Sequence, residues 1–81
     1  MNQEEQLSTL AHMMECITEE ELAILTGNKV STLKAWRNRG SGPIYARFGN
    51  NFLYRVEDVK TYIDLIAIGK ISNQPKAYAL A

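Results

Sequence analysis

The stretch ITEEELAILTGNKVSTLKAWRNRG, residues 17–40, decides the fold because it contains two helices and the turn between them. Thr18 is predicted to cap the first helix, and Glu21, three residues later, completes a capping box. Gly27 is predicted to end this helix, since glycine readily takes the left-handed conformation of a helix end. The second helix then runs to about Gly40. Two short helices joined by a glycine-bearing turn are typical of a helix-turn-helix.

The second helix is predicted to have one apolar and one polar face. Val30, Leu33 and Trp36 recur every three residues and therefore stack on one side, which docks on the domain. The opposite side carries donors and small groups: Ser31, Thr32, Lys34, Ala35 and Asn38. We expect this side to face a partner. The predicted structural core consists of Ile17, Leu22, Leu33, Trp36 and Tyr62.

Charge is segregated along the chain although the formal net charge is zero. Residues 1–28 contain six acidic residues and no lysine or arginine, whereas residues 29–55 contain six cations and no acidic residue. The cations are Lys29, Lys34, Arg37, Arg39, Arg47 and Arg55. Such a block indicates a surface for a polyanion, with a merely solvated basic face as the alternative.

The segments on either side complete a small domain. Residues 1–16 are predicted to form an amphipathic helix that either packs on the domain or pairs with a second chain. IYARF and FLYR flank GNN and predict a β-hairpin, and a further helix opens at Glu57 and Asp58. The predicted fold class is mainly α with a small two-stranded antiparallel β-hairpin. The organisation is an N-terminal helix (1–16), a central domain (17–68) and a C-terminal arm (69–81).

The composition gives little support to several other functions. One cysteine, Cys16, excludes an internal disulfide and cannot by itself build a zinc site. One histidine, His12, is predicted to be solvated, so the chain offers little from which to build a catalytic site. The longest apolar run, LIAI, is too short to cross a bilayer. We expect a cytoplasmic protein that is not an enzyme and has no metal or cofactor.

Several features, in order, resemble the winged helix-turn-helix domain of the MerR superfamily, specifically its small excisionase and AlpA-like branch. The likeness covers about residues 17–66. The features are Leu22-Ala23, Gly27, Ser31-Thr32-Leu33, Trp36-Arg37, Gly40, Gly42-Pro43, Tyr45, Gly49 and the segment YRVEDV. The resemblance implies a recognition helix in the DNA major groove and a hairpin wing beside it.

The resemblance also implies roles for individual residues. The base-reading candidates are Lys29, Ser31, Thr32, Lys34, Ala35 and Asn38. The phosphate-contacting candidates are Arg37, Arg39, Arg47 and Arg55, with an ion pair to Asp58 as the alternative for Arg55. The wing candidates are Gly49, Asn50 and Asn51, where the family usually has arginine or lysine, so a weaker wing contribution is expected.

These features predict a sequence-specific protein for double-stranded DNA. In the family, such a protein is an excisionase-like recombination directionality factor that works beside an integrase, or a transcription regulator of a phage or mobile element. Self-association as a dimer or as an array on DNA fits either role. The alternative is a DNA-packaging subunit like a small terminase, or another adaptor, that assembles through its N-terminal helix.

Overall fold

A computed structural model describes residues 2–71 as four helices and a three-stranded antiparallel sheet. The elements are α1 (Gln3–Met13), β1 (Cys16–Thr18), α2 (Glu19–Thr26), α3 (Val30–Arg39), β2 (Ala46–Phe48), β3 (Asn51–Arg55) and α4 (Val56–Ala67). The mainly helical character and the β2–β3 hairpin agree with the sequence-based prediction.

The sheet has one strand more than the sequence predicted. Its order is β1-β3-β2, so β3 lies in the middle and Ile17 pairs with Tyr54 on one side of the hairpin. The predicted two-stranded hairpin is therefore present, but it belongs to a three-stranded sheet whose strand β1 was not predicted. The reason is local: β1 has only three residues, too few for a strand to show alternation, and its last residue, Thr18, also caps α2.

The third strand joins the N-terminal segment to the rest of the fold. Cys16 pairs with Arg55, and the amide of Val56 donates a hydrogen bond to the carbonyl of Glu15 at 2.9 Å. The boundary predicted between residues 16 and 17 thus falls inside a strand. Of the predicted C-terminal arm, residues 69–71 follow α4 directly, and residues 72–81 lie outside the described residues.

The predicted helix ends are present in the structure. The Glu21 amide donates to Thr18 Oγ1 at 3.2 Å, and the Thr18 amide donates to the Glu21 carboxylate at 2.9 Å, which confirms the capping box. Gly27 takes a left-handed φ of 73°, and the next amide, that of Asn28, donates to the carbonyl of Ala23 at 3.0 Å. These bonds end α2 sharply and turn the chain into α3.

One buried cluster holds the helices against the sheet. It contains Leu22, Ala23, Leu33, Trp36, Tyr54 and Val59, and Ile17 packs against it. Three of the five predicted core residues, Leu22, Leu33 and Trp36, are thus buried, whereas Ile17 and Tyr62 are half-buried. Val30, predicted on the docking face, is exposed, because it lies in the first turn of α3 and beyond the reach of the cluster.

Helix α1 packs on β1 but is covered on only part of its apolar stripe. Ala11 is buried and Leu7 half-buried, while Leu10 and Met14 remain exposed. His12 is exposed, as predicted, yet its Nε2 lies 2.7 Å from the Glu21 carboxylate, so it is not simply solvated. Burial raises the pKa of Glu21, but hydrogen bonds from Ser8, Thr18 and His12 outweigh it and lower the pKa overall.

Glu15 has a strained backbone that a substitution can relieve. Its φ of 59° is the one positive value at a non-glycine position among residues 2–71. A left-handed conformation costs an L-residue roughly 1–2 kcal/mol, and glycine avoids this cost. Part of the gain in stability is lost, because glycine loses more chain entropy on folding than other residues do. Glu15→Gly is expected to raise the free energy of unfolding by up to about 1 kcal/mol in urea denaturation. Glu15→Ala removes the same carboxylate and keeps the strain, so a glycine variant less stable than the alanine variant would contradict the prediction.

Candidate nucleic-acid interface

Helix α3 presents an open polar face opposite its buried side. Leu33 and Trp36 point into the core, and the sheet and α2 lie on that side. Four of the six base-reading candidates, Lys29, Ser31, Lys34 and Asn38, are exposed. The other two, Thr32 and Ala35, are half-buried at the edges of this face. The structure therefore places five of the six candidates on α3 itself and Lys29 at its N-cap, directly before the first turn.

Exposed cations are found both on α3 and on the hairpin. Lys29 and Lys34 lie at the start and middle of α3, Arg39 in its last turn, and Arg47 on β2. Arg47 pairs across the hairpin with Phe52, and its guanidinium lies 5.9 Å from the centre of that ring. We call these four residues the exposed cations.

Arg37 does not belong to that surface. Its Nε donates to one Glu19 oxygen at 2.7 Å and its Nη2 to the other at 3.0 Å, and both side chains are only about a tenth exposed. The guanidinium also stacks on Phe52, 3.5 Å from the ring centre. The predicted phosphate role of Arg37 is thus corrected: the residue is held in a buried ion pair, because it flanks the apolar stripe of α3 and meets the first turn of α2.

Tyr54 completes this buried polar group. Its hydroxyl donates to Glu19 at 2.8 Å, so one carboxylate joins α2, α3 and β3. The hydrogen bond from Arg37 to Glu19 raises the pKa of Arg37, and burial followed by the bond to Glu19 raises the pKa of Tyr54. We call Glu19, Arg37 and Tyr54 the buried triad. It links α3 and the hairpin, the two elements that carry the exposed cations, to the first turn of α2.

Arg55 makes the ion pair that was the alternative to a phosphate contact. Its Nη2 donates to the Asp58 carboxylate at 3.1 Å, with a shorter bond from Nε to the other oxygen. The bond to Asp58 raises the pKa of Arg55. The guanidinium remains exposed, so a phosphate could still approach it, but the Asp58 carboxylate already balances its charge.

The hairpin tip is short and carries no basic residue. Gly49, with a φ of 65°, and Asn50 form a two-residue loop, and glycine at the first loop position suits a type II′ turn. Asn51, predicted at the tip, instead begins β3 and pairs with Phe48. An open cleft beside the tip is lined by Glu4 and Glu20 together with both asparagines. These carboxylates oppose the approach of a phosphate at this end of the hairpin.

Other kinds of site find no support in the part of the chain that the structure describes. No group of three or more histidine, cysteine, aspartate or glutamate side chains within residues 2–71 could hold a metal ion. Nor is any helix among these residues long and apolar enough to span a membrane. No family model matches the chain, and neither does any curated protein or solved structure.

Sequence reasoning missed two members of the buried triad. Glu19 lies in the run TEEE, which is fully accounted for by helix capping and the helix dipole. Tyr54 lies in a hairpin strand with no signal for a polar partner. One feature of the sequence pointed to the triad: Arg37 directly follows Trp36, which was predicted to be buried. A cation that is buried in this way needs a carboxylate partner.

Proposed function

We propose that this protein is a sequence-specific double-stranded DNA-binding protein of the winged helix-turn-helix class. Helix α3 is the recognition helix, and the β2–β3 hairpin is the wing. The observation that carries the proposal is the outward face of α3, where hydrogen-bond donors and cations lie side by side within a segment, residues 29–55, that contains no acidic residue. A major groove is wide enough to admit such a helix, and its base edges accept these donors.

The side chains at the centre of that face are the base readers in this proposal. Lys34 can donate to O6 and N7 of guanine, and the Asn38 amide can pair with the N6 and N7 groups of adenine. Ser31 lies on the same side and can contact any base pair. Thr32 and Ala35, at the edges, can meet only a base that comes close to the helix, such as a thymine methyl group.

The exposed cations at the margins hold the backbone. Arg47 on β2 and Arg39 in the last turn of α3 are both exposed, so their side chains can reach phosphates beside the groove that α3 enters. Arg55 contributes less because Asp58 already pairs with it. The wing tip contributes little, since Asn50 is uncharged and lies beside Glu4 and Glu20.

A protein of this kind acts by shaping the DNA that it binds and by competing with other proteins for sites. It catalyses no reaction itself. Within the class, we propose an excisionase-like recombination directionality factor beside an integrase, or a transcription regulator of a phage or mobile element. Both roles need the same DNA-binding surface.

The proposal is tested by separating phosphate contacts from base contacts. A duplex is first selected from a random pool by the wild-type protein, and affinities are then measured by fluorescence anisotropy over a range of salt. Arg47→Ala is expected to weaken binding to selected and random duplexes alike and to reduce the salt slope of log affinity by about 0.9. Lys34→Ala and Asn38→Ala are each expected to cost about 1–3 kcal/mol on the selected duplex and much less on random DNA.

Lys70→Ala serves as the matched control, since it removes one exposed positive charge outside the proposed interface. It is expected to bind like the wild type. A wild-type protein that selects no sequence, or Arg47→Ala and Lys34→Ala variants that keep full affinity, would overturn the proposal. The basic face would then be a solvated surface only.

A further inference from the structure

An apolar groove lies between α2 and α4, away from the cationic face. Its volume is about 380 Å³, and its floor is formed by Trp36 and Pro43. Leu25 of α2 and Ile63 and Ile66 of α4 line its sides. None of the described residues that line it is charged. We call this the α2–α4 groove.

Large aliphatic side chains project around the same groove. Leu25 is 61% exposed and Ile63 51%, although both line the groove. Exposed aliphatic side chains beside an apolar groove mark an interaction surface. The groove is thus a concave apolar surface with exposed side chains at its sides.

We propose that the α2–α4 groove is covered by a second copy of this chain, with the two α4 helices antiparallel about a two-fold axis. A two-fold interface uses the same patch on both copies, so the patch must be complementary to itself. The groove can receive the projecting isoleucine of the other copy, and the reverse contact forms at the same time. The proposal does not depend on DNA binding, since the cationic face lies elsewhere.

Charge complementarity supports the antiparallel arrangement. Lys60 and Asp64 are exposed and lie one helical turn apart on α4, and neither side chain has a hydrogen bond or ion pair within residues 2–71. If two α4 helices cross in opposite directions near Tyr62, Lys60 of each copy faces Asp64 of the other. Two equivalent ion pairs then border the apolar contact. In a parallel arrangement these side chains of the two copies would lie at opposite edges of the contact, where they could not pair.

The decisive experiment exchanges these charges in the full chain. The wild type is expected to show a monomer–dimer equilibrium in analytical ultracentrifugation. K60D and D64K are each expected to weaken the dimer by about tenfold, because each turns two exposed attractions into repulsions. In an equimolar mixture, the aspartate introduced by K60D faces the lysine introduced by D64K, and the native pair is also restored. Native mass spectrometry is therefore expected to show a heterodimer in excess of either homodimer.

Two variants control for other causes. K70D makes the same charge change outside the groove and is expected to dimerise like the wild type. Ile63→Ser is expected to abolish the dimer while keeping the helical circular dichroism signal, because Ile63 is half exposed.

A wild-type chain that stays monomeric at every concentration would overturn the proposal and would assign the groove to another occupant, residues 72–81 or a different protein. A dimer that K60D and D64K leave unchanged, or a mixture without excess heterodimer, would overturn the antiparallel arrangement. Neither result bears on the DNA-binding measurements.

Discussion

Replacing Trp36 with alanine is expected to lower the free energy of unfolding by about 3–5 kcal/mol. A loss of this size would remove much of the total stability of a small domain. The indole is 4% exposed and packs with Leu22, Leu33 and Tyr54 in the buried cluster. The loop after α3 covers it so closely that a Cβ placed on Gly42 would lie 2.8 Å from the ring. No neighbour can therefore refill the space without moving the backbone.

Urea denaturation followed by circular dichroism measures this loss, since the variant has no tryptophan left to report by fluorescence. Met13→Ala is the control: it removes a large side chain that is exposed, and it is expected to change stability by no more than about 0.5 kcal/mol. If Trp36→Ala unfolded at the same urea concentration as the wild type and yet lost DNA binding, the indole would belong to the DNA-facing side of α3.

Local signals account for what the sequence predicted correctly. The capping box of α2 and the left-handed Gly27 depend on residues at most a few positions apart, and both are present. The burial of Leu33 and Trp36 follows from spacing on a single helix. The same spacing also predicted that Val30 packs against the domain, and this prediction is wrong because Val30 is exposed. Periodicity cannot show how far along a helix the neighbouring elements extend.

Pairing between distant residues accounts for most of what the sequence did not predict. Glu19 and Arg37 are 18 positions apart, and Glu19 and Tyr54 are 35 apart, so no local pattern links them. The sequence shows six cations in one block but cannot show that their surroundings differ. Arg37 is buried in an ion pair with Glu19, and Arg55 is paired with Asp58. The second pair, three residues apart, was open to sequence reasoning, and the first was not.

Removing the Glu19 carboxylate is expected to have the second large effect. Glu19→Ala leaves the Arg37 guanidinium, whose side chain is 11% exposed, without its charge partner and the Tyr54 hydroxyl without its acceptor. Breaking a buried ion pair by removing one partner costs about 3–5 kcal/mol. Glu20→Ala is a matched control, because this adjacent carboxylate is exposed on the same helical turn. It is expected to cost at most about 1 kcal/mol through the helix dipole.

A double-mutant cycle shows whether the cost comes from the unpaired cation. The Glu19→Ala/Arg37→Ala variant is expected to lose less stability than the two single variants added together, since it leaves no buried charge alone. Additive losses in urea denaturation would contradict this explanation and would attribute the effects to lost packing against Phe52 and the first turn of α2.

Tyr54 gives the buried triad a dependence on alkaline pH whose sign follows from its raised pKa. The folded chain keeps the phenol proton at a pH where the unfolded chain loses it, so ionisation above about pH 10 favours unfolding. Wild-type stability is therefore expected to fall above that pH more steeply than the stability of Tyr54→Phe, which has no proton to lose at this position. At neutral pH, Tyr54→Phe should cost about 1.5–3 kcal/mol, because the lost hydrogen bond goes to the carboxylate of an ion pair. Parallel pH profiles for the two proteins would mean that the hydroxyl does not hold α2 and β3 together.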